Sequence, residues 1–408
     1  MNSESNTMTD YNDLLSKHLD QLKQDGNYRY FLDVDKNARL FPRFYYEDGD
    51  RQKKIATGWC SNDYLGMSVH EEVIDALSAT ARRSGAGSGG TRNISGTTVY
   101  HRELEKALSD LHKKEAALVF GSAYLANLTT LGTLGRLFTD LVFLSDEKNH
   151  ASIIEGIKAS GSKKIIFRHN DVAHLEELLQ QLPASQPKII VFESVYSISG
   201  SVAPLEDIIS VAKRYNCLTY LDEVHAVGMY GEDGGGLTSQ LMLQDQLDIL
   251  NGTLAKGFGV IGGYIAASRI IVDAIRSFGS GFIFTTSLPP AVCAAATKSI
   301  DLVSKNNTLR QLFHKRVAQL RTILQQHGLE YRDNSSHITP IHIGNSALCK
   351  KIADRLLYEF GVYLQPINFP TVKKGEECLR IVVTIKHSEA DMLHLAESLR
   401  TVLQEEIL

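Results

Sequence analysis

The sequence predicts an α/β protein in which a large domain built on a mostly parallel sheet is followed by a smaller α+β domain. Three observations carry this. Between 116 and 253, short apolar runs alternate with helical segments, the rhythm of strand–helix–strand units. At 408 residues the chain exceeds what one hydrophobic core usually supports, so a large unit with a smaller partner is expected. From about 302 onward the pattern changes to long helical segments separated by short strands. The expected boundaries are 1–58 for an N-terminal helix and short strands, 59–301 for the large domain and 302–408 for the small one.

Composition narrows the function classes. A hydrophobic content of 43% and a charged content of 22% fit an ordinary soluble globule. The net charge of -4 gives no general attraction to nucleic acid or to an anionic membrane, so an anionic ligand needs a local basic site. Cys60, Cys217, Cys293, Cys349 and Cys378 are scattered and never form Cys-x-x-Cys, which argues against a disulfide framework or a zinc knuckle. No apolar run approaches the ~18 residues that suggest a membrane span. The first residues carry neither an apolar core nor an Arg-rich presequence, so a cytoplasmic setting is expected.

In chain order, Leu14, Leu15, Leu19 and Leu22 predict an amphipathic helix between Asp10 and Gly26 that packs on a larger body. Tyr28-Arg29-Tyr30-Phe31 sets one Arg among aromatics, either as a fork for a carboxylate or with its stem packed across the rings. Trp59-Cys60-Ser61-Asn62-Asp63-Tyr64-Leu65-Gly66 reads as a polar turn after a short strand, before a helix over 71–84. Gly85-Ala86-Gly87-Ser88-Gly89-Gly90 matches the dinucleotide spacing, but it follows a helical stretch instead of a strand. Thr91-Arg92-Asn93-Ile94-Ser95-Gly96-Thr97 continues the loop, which reads as permissive backbone lining a site.

The strand-like runs are 116–120, 141–144, 164–167, 189–192, 218–221 and 247–250, with a seventh at 263–267. Ligands of such sheets sit beyond the carboxyl ends of the strands, and the chemistry-bearing residues follow those ends. Gly121, Ser122, Ala123 and Tyr124 open a helix whose free N–H groups suit a phosphate. The second run ends at Asp146-Glu147-Lys148-Asn149-His150, with Ser152 and Glu155 spaced as a capping box. The fourth ends in Glu193-Ser194-Val195-Tyr196-Ser197, and the fifth in Asp222-Glu223-Val224-His225 before a Gly-rich stretch. The sixth leads to Thr253 and to Lys256, which stands among Ala255, Gly257 and Gly259 with room for a flat ligand.

Alone, that segment reads as a surface lysine in a glycine-rich turn. A zinc site from His150, Asp222 and His225 lacks tight ligand spacing and leaves the lysine unexplained, so no metal is expected. Taken together, a lysine, a helix-start phosphate cradle and an Asp able to pair with a pyridinium nitrogen are what pyridoxal phosphate requires of a protein. In the small domain, helical segments over 307–327, 347–360 and 389–403 alternate with short strands, and Cys378-Leu379-Arg380-Ile381-Val382-Val383 brings Arg380 to a strand edge.

From about Tyr28 to the last helix the sequence resembles the α-oxoamine synthases of the fold-type I pyridoxal phosphate enzymes. The resemblance is carried by residues 60–66, 85–100, Asp222-Glu223-Val224-His225-Ala226-Val227-Gly228, residues 252–259 and Gln365-Pro366-Ile367-Asn368-Phe369-Pro370-Thr371, with 91–97 the most specific. It implies that Lys256 holds the cofactor and then acts as base, that Asp222 faces the ring nitrogen, and that His150 stacks on the ring. Ser197 and His225 would lie near the phenolic oxygen. Ser122, Ala123, Tyr124 and Thr253 would hold the phosphate with Thr285 or Thr286 of a second subunit, in a homodimer with shared sites. Asn62 and Arg380 would bind the carboxylate of glycine, while Arg29, Thr91, Asn93, Ile94 and Thr371 would grip succinyl-CoA. The chain departs from the family pattern at Ala255, where Gly is usual, at Thr285, where Ser is usual, and at Val382-Val383, where Thr-Pro is usual. A sister enzyme using another acyl-CoA or amino acid, and a non-catalytic relative binding a nucleotide at 85–90, are the alternatives.

Overall fold

A computed structural model describes residues 9–407. The central sheet has seven strands: β4 (Ala116–Phe120), β5 (Val142–Asp146), β6 (Lys163–Phe167), β7 (Lys188–Glu193), β8 (Leu218–Asp222), β9 (Ile249–Thr253) and β10 (Gly263–Ala267). Their order is β4-β10-β9-β8-β7-β5-β6. β10 runs antiparallel to both neighbours, and the remaining pairs are parallel. The sheet is covered on both faces, which is why these strands read as continuous apolar runs. Ile190 and Phe192 enter one core cluster, while Ile189 and Val191 enter the other. The sixth strand starts at Ile249, later than its apolar run suggested, because Gln244–Gln246 forms a short 3-10 turn just before it.

The register lines up the strand ends. Glu193 pairs with Asp222, Asp222 with Asn251, and Gly263 with both Thr253 and Phe120. Residues far apart in the chain therefore share one edge of the sheet.

The N-terminal strands β1 (Val34–Lys36), β2 (Arg43–Glu47) and β3 (Lys53–Gly58) form a second sheet, and β3 pairs parallel with β12 (Val362–Tyr363). A third sheet joins β11 (Thr339–His342), β14 (Cys378–Ile381) and β13 (Pro366–Ile367). The Val382 N–H donates to Trp59 O at 2.7 Å and the Ile385 N–H to Tyr64 O at 3.1 Å, so the segment after β14 is tied to the turn after β3. Val382 and Val383 are buried at this seam, where the Val382 N–H is in use.

Two local expectations fail. The helix Tyr11–Gln24 forms, but none of its residues is buried, so among the described residues its apolar stripe is not covered. The helix Ala151–Ser160 is capped by the His150 ring, whose Nδ1 accepts the Ser152 N–H; there is no Ser152–Glu155 capping box. Among the described residues no helix is long and apolar enough to cross a membrane.

Candidate active site

Lys256 lies just past β9 in a loop shaped by glycines. A Cβ on Gly257 would come within 2.6 Å of Val227 O, and Gly259, at φ +64°, would place one 2.4 Å from Ser68 N. The loop is thus pressed against the segments after β8 and after Leu65, with Lys256 half-buried. Burial lowers the Lys256 amine to about 8, with Asp222 opposing the shift and Arg380 adding to it. Thr253 Oγ1 accepts the Ala255 N–H at 3.1 Å and donates to Gly262 O at 3.1 Å, fixing the base of the loop.

Asp222 is held by three donors. Asn127 Nδ2 at 2.7 Å and Asn251 Nδ2 at 3.0 Å meet Oδ2, and the Val224 N–H meets Oδ1 at 2.9 Å. Asn127 also accepts from the Tyr220 hydroxyl at 2.7 Å and donates to Ser152 Oγ at 2.9 Å. Ser152 Oγ in turn lies 2.7 Å from His150 Nδ1. A single network therefore fixes both the carboxylate and the imidazole. Because the Ser152 N–H donates to His150 Nδ1, the proton of the neutral ring sits on Nε2. Burial lowers the His150 pKa, keeping it neutral, although the residue is exposed on one side of the site.

His225 Nδ1 lies 2.9 Å from the Tyr64 hydroxyl, and burial, with Lys256 and Arg380 nearby, holds this imidazole neutral. Arg380 comes in from β14. Its Nε donates to Ser197 O at 2.6 Å, one terminal nitrogen to Asn62 Oδ1 at 3.2 Å, and the other to the Tyr64 hydroxyl at 3.3 Å. A guanidinium has five N–H donors, so two remain for a carboxylate. Tyr64 is the hub of this group, and its ring meets His337 edge-on at 4.6 Å. We expect Tyr64→Phe to cost about 1–3 kcal/mol, since it strips buried partners of their hydrogen bond; denaturant unfolding of the cofactor-free protein checks this.

The helix Ala123–Leu137 begins at the end of β4, with Ser122 Oγ accepting the Leu125 N–H at 3.1 Å. A Cβ on Gly121 would meet nothing within 4 Å, so open space adjoins this helix start. An amine of lowered pKa, a buried carboxylate held by amide donors, an imidazole and a helix N-terminus all fit pyridoxal phosphate. His150, Asp222 and His225 do not form a metal-ligand set; among the described residues no such group occurs.

The structure brings together Lys256, Asp222, His150, His225, Asn62 and Arg380, through contacts or through their mutual electrostatic influence. Ser197 joins through its carbonyl oxygen. Arg29 donates to Thr371 Oγ1 at 3.2 Å in a cleft beside Asn368 and Phe369, and Phe369 and Thr371 also line a cavity with Asn149 and Ser197. The cations over the Tyr28 and Tyr30 rings are Lys23 and Lys350, not Arg29.

Thr91, Asn93, Ile94, Thr285 and Thr286 form a third group. Thr91 donates to Asn93 Oδ1 at 2.6 Å and bridges to Thr286 through the backbone, and no hydrogen bond among the described residues links this group to Lys256. Residues 85–90 follow the helix Glu71–Ser84, not a strand, which removes the context that a dinucleotide fingerprint needs. Sequence reasoning assigned no site role to Tyr64, Asn127, Asn251 or Glu193, and gave Ser152 only a capping role that the structure does not show. Asn251 and Glu193 were visible at or beside strand ends, Tyr64 was visible only as a member of the 60–66 motif, and Asn127 carried no local signal.

Residues 54–399 match the model of the aminotransferase class I and II family. The chain is 51% identical to a 5-aminolevulinate synthase of Paracoccus denitrificans, covering 96% of each chain. It is 47% identical to 5-aminolevulinate synthase 1 of Cereibacter sphaeroides, covering 97% of each. Among solved structures, a serine palmitoyltransferase from S. paucimobilis with bound PLP-myriocin aldimine superposes with a TM-score of 0.87 at 27% identity, covering 96% of this chain and 97% of that one. The chain belongs to the aminotransferase class I and II family, and within it to the family of the 5-aminolevulinate synthases.

Proposed function

We propose that this chain condenses glycine with succinyl-CoA, releasing CoA and CO2, to form 5-aminolevulinate with pyridoxal phosphate as cofactor. The observation that carries the reading is the convergence of Lys256, the three-donor Asp222 and the Arg380–Asn62 pair at one edge of the sheet. Residues 59–301 serve as the cofactor-binding unit and 302–408 as the small domain that supplies Arg380 and Thr371.

Lys256 would hold the cofactor through Nζ, Asp222 would face its ring nitrogen, and His150 would lie over the ring. Ser197 and His225 would sit by the phenolic oxygen. Ser122, Ala123, Tyr124 and Thr253 would meet the phosphate. Pyridoxal phosphate, when bound, supplies an electron sink that makes the Cα of an amino acid acidic. With its pKa at about 8, Lys256 Nζ is able both to take and to return a proton near neutral pH, the requirement for a general base. Asn62 and the two spare N–H groups of Arg380 orient the glycine carboxylate. Neutral His225 and His150 add no positive charge beside that amine.

The group at Thr91, Asn93, Ile94, Thr285 and Thr286 belongs to a second copy of the chain in this reading, completing the succinyl-CoA and phosphate contacts of a homodimer in the cytoplasm. The exposed Ile94, Val99 and Phe284 nearby support a covered surface there. Arg29, held by Thr371, and Thr91 of the second copy would read the distal carboxylate of the acyl group, and this separates the reading from a sister enzyme that takes an aliphatic acyl-CoA. Arg29→Leu should lower kcat/KM for succinyl-CoA by about tenfold or more while sparing butyryl-CoA; equal loss for both removes the carboxylate role. The overall test is incubation with glycine and a panel of acyl-CoAs, measuring free thiol and amino ketone. Succinyl-CoA should give both, and thiol release confined to another acyl-CoA would assign the chain to the sister activity.

A further inference from the structure

Glu193 ends β7 beside Asp222 at the end of β8, paired in register. In-register neighbours on parallel strands project to the same face, with backbones about 4.8 Å apart. Both carboxyls are buried, at 3% and 5% exposure. Side-by-side buried carboxyls disfavour double ionisation, and the proton goes to the one whose anion is less well supported. Asp222 accepts three hydrogen bonds. Glu193 accepts one, from the His150 N–H at 2.6 Å.

We infer that Glu193 is the uncharged member of a carboxyl pair with Asp222, and that it acts as a positioning residue, anchoring the His150 backbone while leaving Asp222 as the anion. The inference rests on the proposed function only in naming what Asp222 and His150 face. The charged and titratable groups around Glu193 agree with it. Burial pushes its carboxyl well above the ordinary range, Asp222 and Asp146 push the same way, and Lys256 and the His150 N–H oppose them. The His150 ring is itself neutral, and the Tyr196 hydroxyl, 3.4 Å from the Glu193 N–H, is held in its un-ionised form by burial. An anion at 193 would compete with Asp222 for the positive charge of the site. A neutral carbonyl keeps the His150 contact without that competition, so glutamine is the closer mimic of the native residue.

The test joins infrared spectroscopy of the cofactor-free protein with cofactor titration of Glu193→Gln and Glu193→Leu. The wild-type-minus-E193Q difference spectrum should contain a protonated-carboxyl C=O band that shifts in D2O; taking the difference separates it from Glu223, another buried acid raised to about 7. E193Q should bind pyridoxal phosphate at least about tenfold more tightly than E193L, which leaves the His150 N–H without its acceptor. A difference spectrum lacking that band, or equal affinity of the two variants, overturns the inference. Failure of every protein, wild type included, to bind pyridoxal phosphate would instead defeat the proposed function, and the infrared band would still decide the state of Glu193.

Discussion

Lys256→Ala is expected to lower kcat for 5-aminolevulinate formation by at least about 10²–10⁴-fold, the range for losing a positioned acid–base group, and to remove the visible absorption band that the cofactor-loaded wild type shows. The structure sets this amine within the electrostatic reach of Asp222, Arg380 and Glu193. A linked effect belongs to the cofactor-free protein. Burial holds Lys256 at about 8 against an ordinary 10.5, so between those values the unfolded chain binds the proton that the folded chain has released. Stability contributed by this group therefore rises with pH across that window and is lowest below it. Lys256→Ala should flatten that slope, as measured by denaturant unfolding at a series of pH values.

Asp222→Asn carries the second large effect. Asn127 and Asn251 both donate to Oδ2, and the Val224 N–H donates to Oδ1. An amide has only one acceptor oxygen, so one donor at this position must face the new NH2. The side chain also loses the charge that would keep a ring nitrogen protonated. A fall in kcat of about 10²–10³-fold is expected, the scale of removing one preorganised electrostatic partner. Weaker cofactor binding should accompany it, because the same carboxylate anchors the network that reaches His150 through Asn127 and Ser152. Activity within about threefold of wild type would mean that Asp222 plays no electrostatic part in the chemistry.

Much of this was legible in the chain itself. Strands such as Lys188–Glu193 and Ile249–Thr253 are apolar on both faces because the sheet is buried on both faces, and their polar ends stand out against that background. Lys256, Asp222, His225 and His150 follow those ends directly. Tyr64 was not legible as the hub because its partner Arg380 lies 316 residues away, a distance closed by the pairing of β3 with β12 together with the Val382 N–H on Trp59 O and the Ile385 N–H on Tyr64 O. Asn127 sits in the middle of a helix, where nothing local marks it as the donor to Asp222. The N-terminal helix shows the opposite case: its leucine stripe predicted burial, yet a single chain leaves Leu14, Leu15, Leu19 and Leu22 exposed. An amphipathic pattern says that a face needs covering and does not say by what.

The most direct test of the central claim is borohydride reduction of the purified protein loaded with pyridoxal phosphate, followed by proteolysis and mass spectrometry. The account predicts a reduced pyridoxyl group on Lys256. A stable label on any other lysine with the Lys256 peptide unmodified, or no label at all, would contradict it.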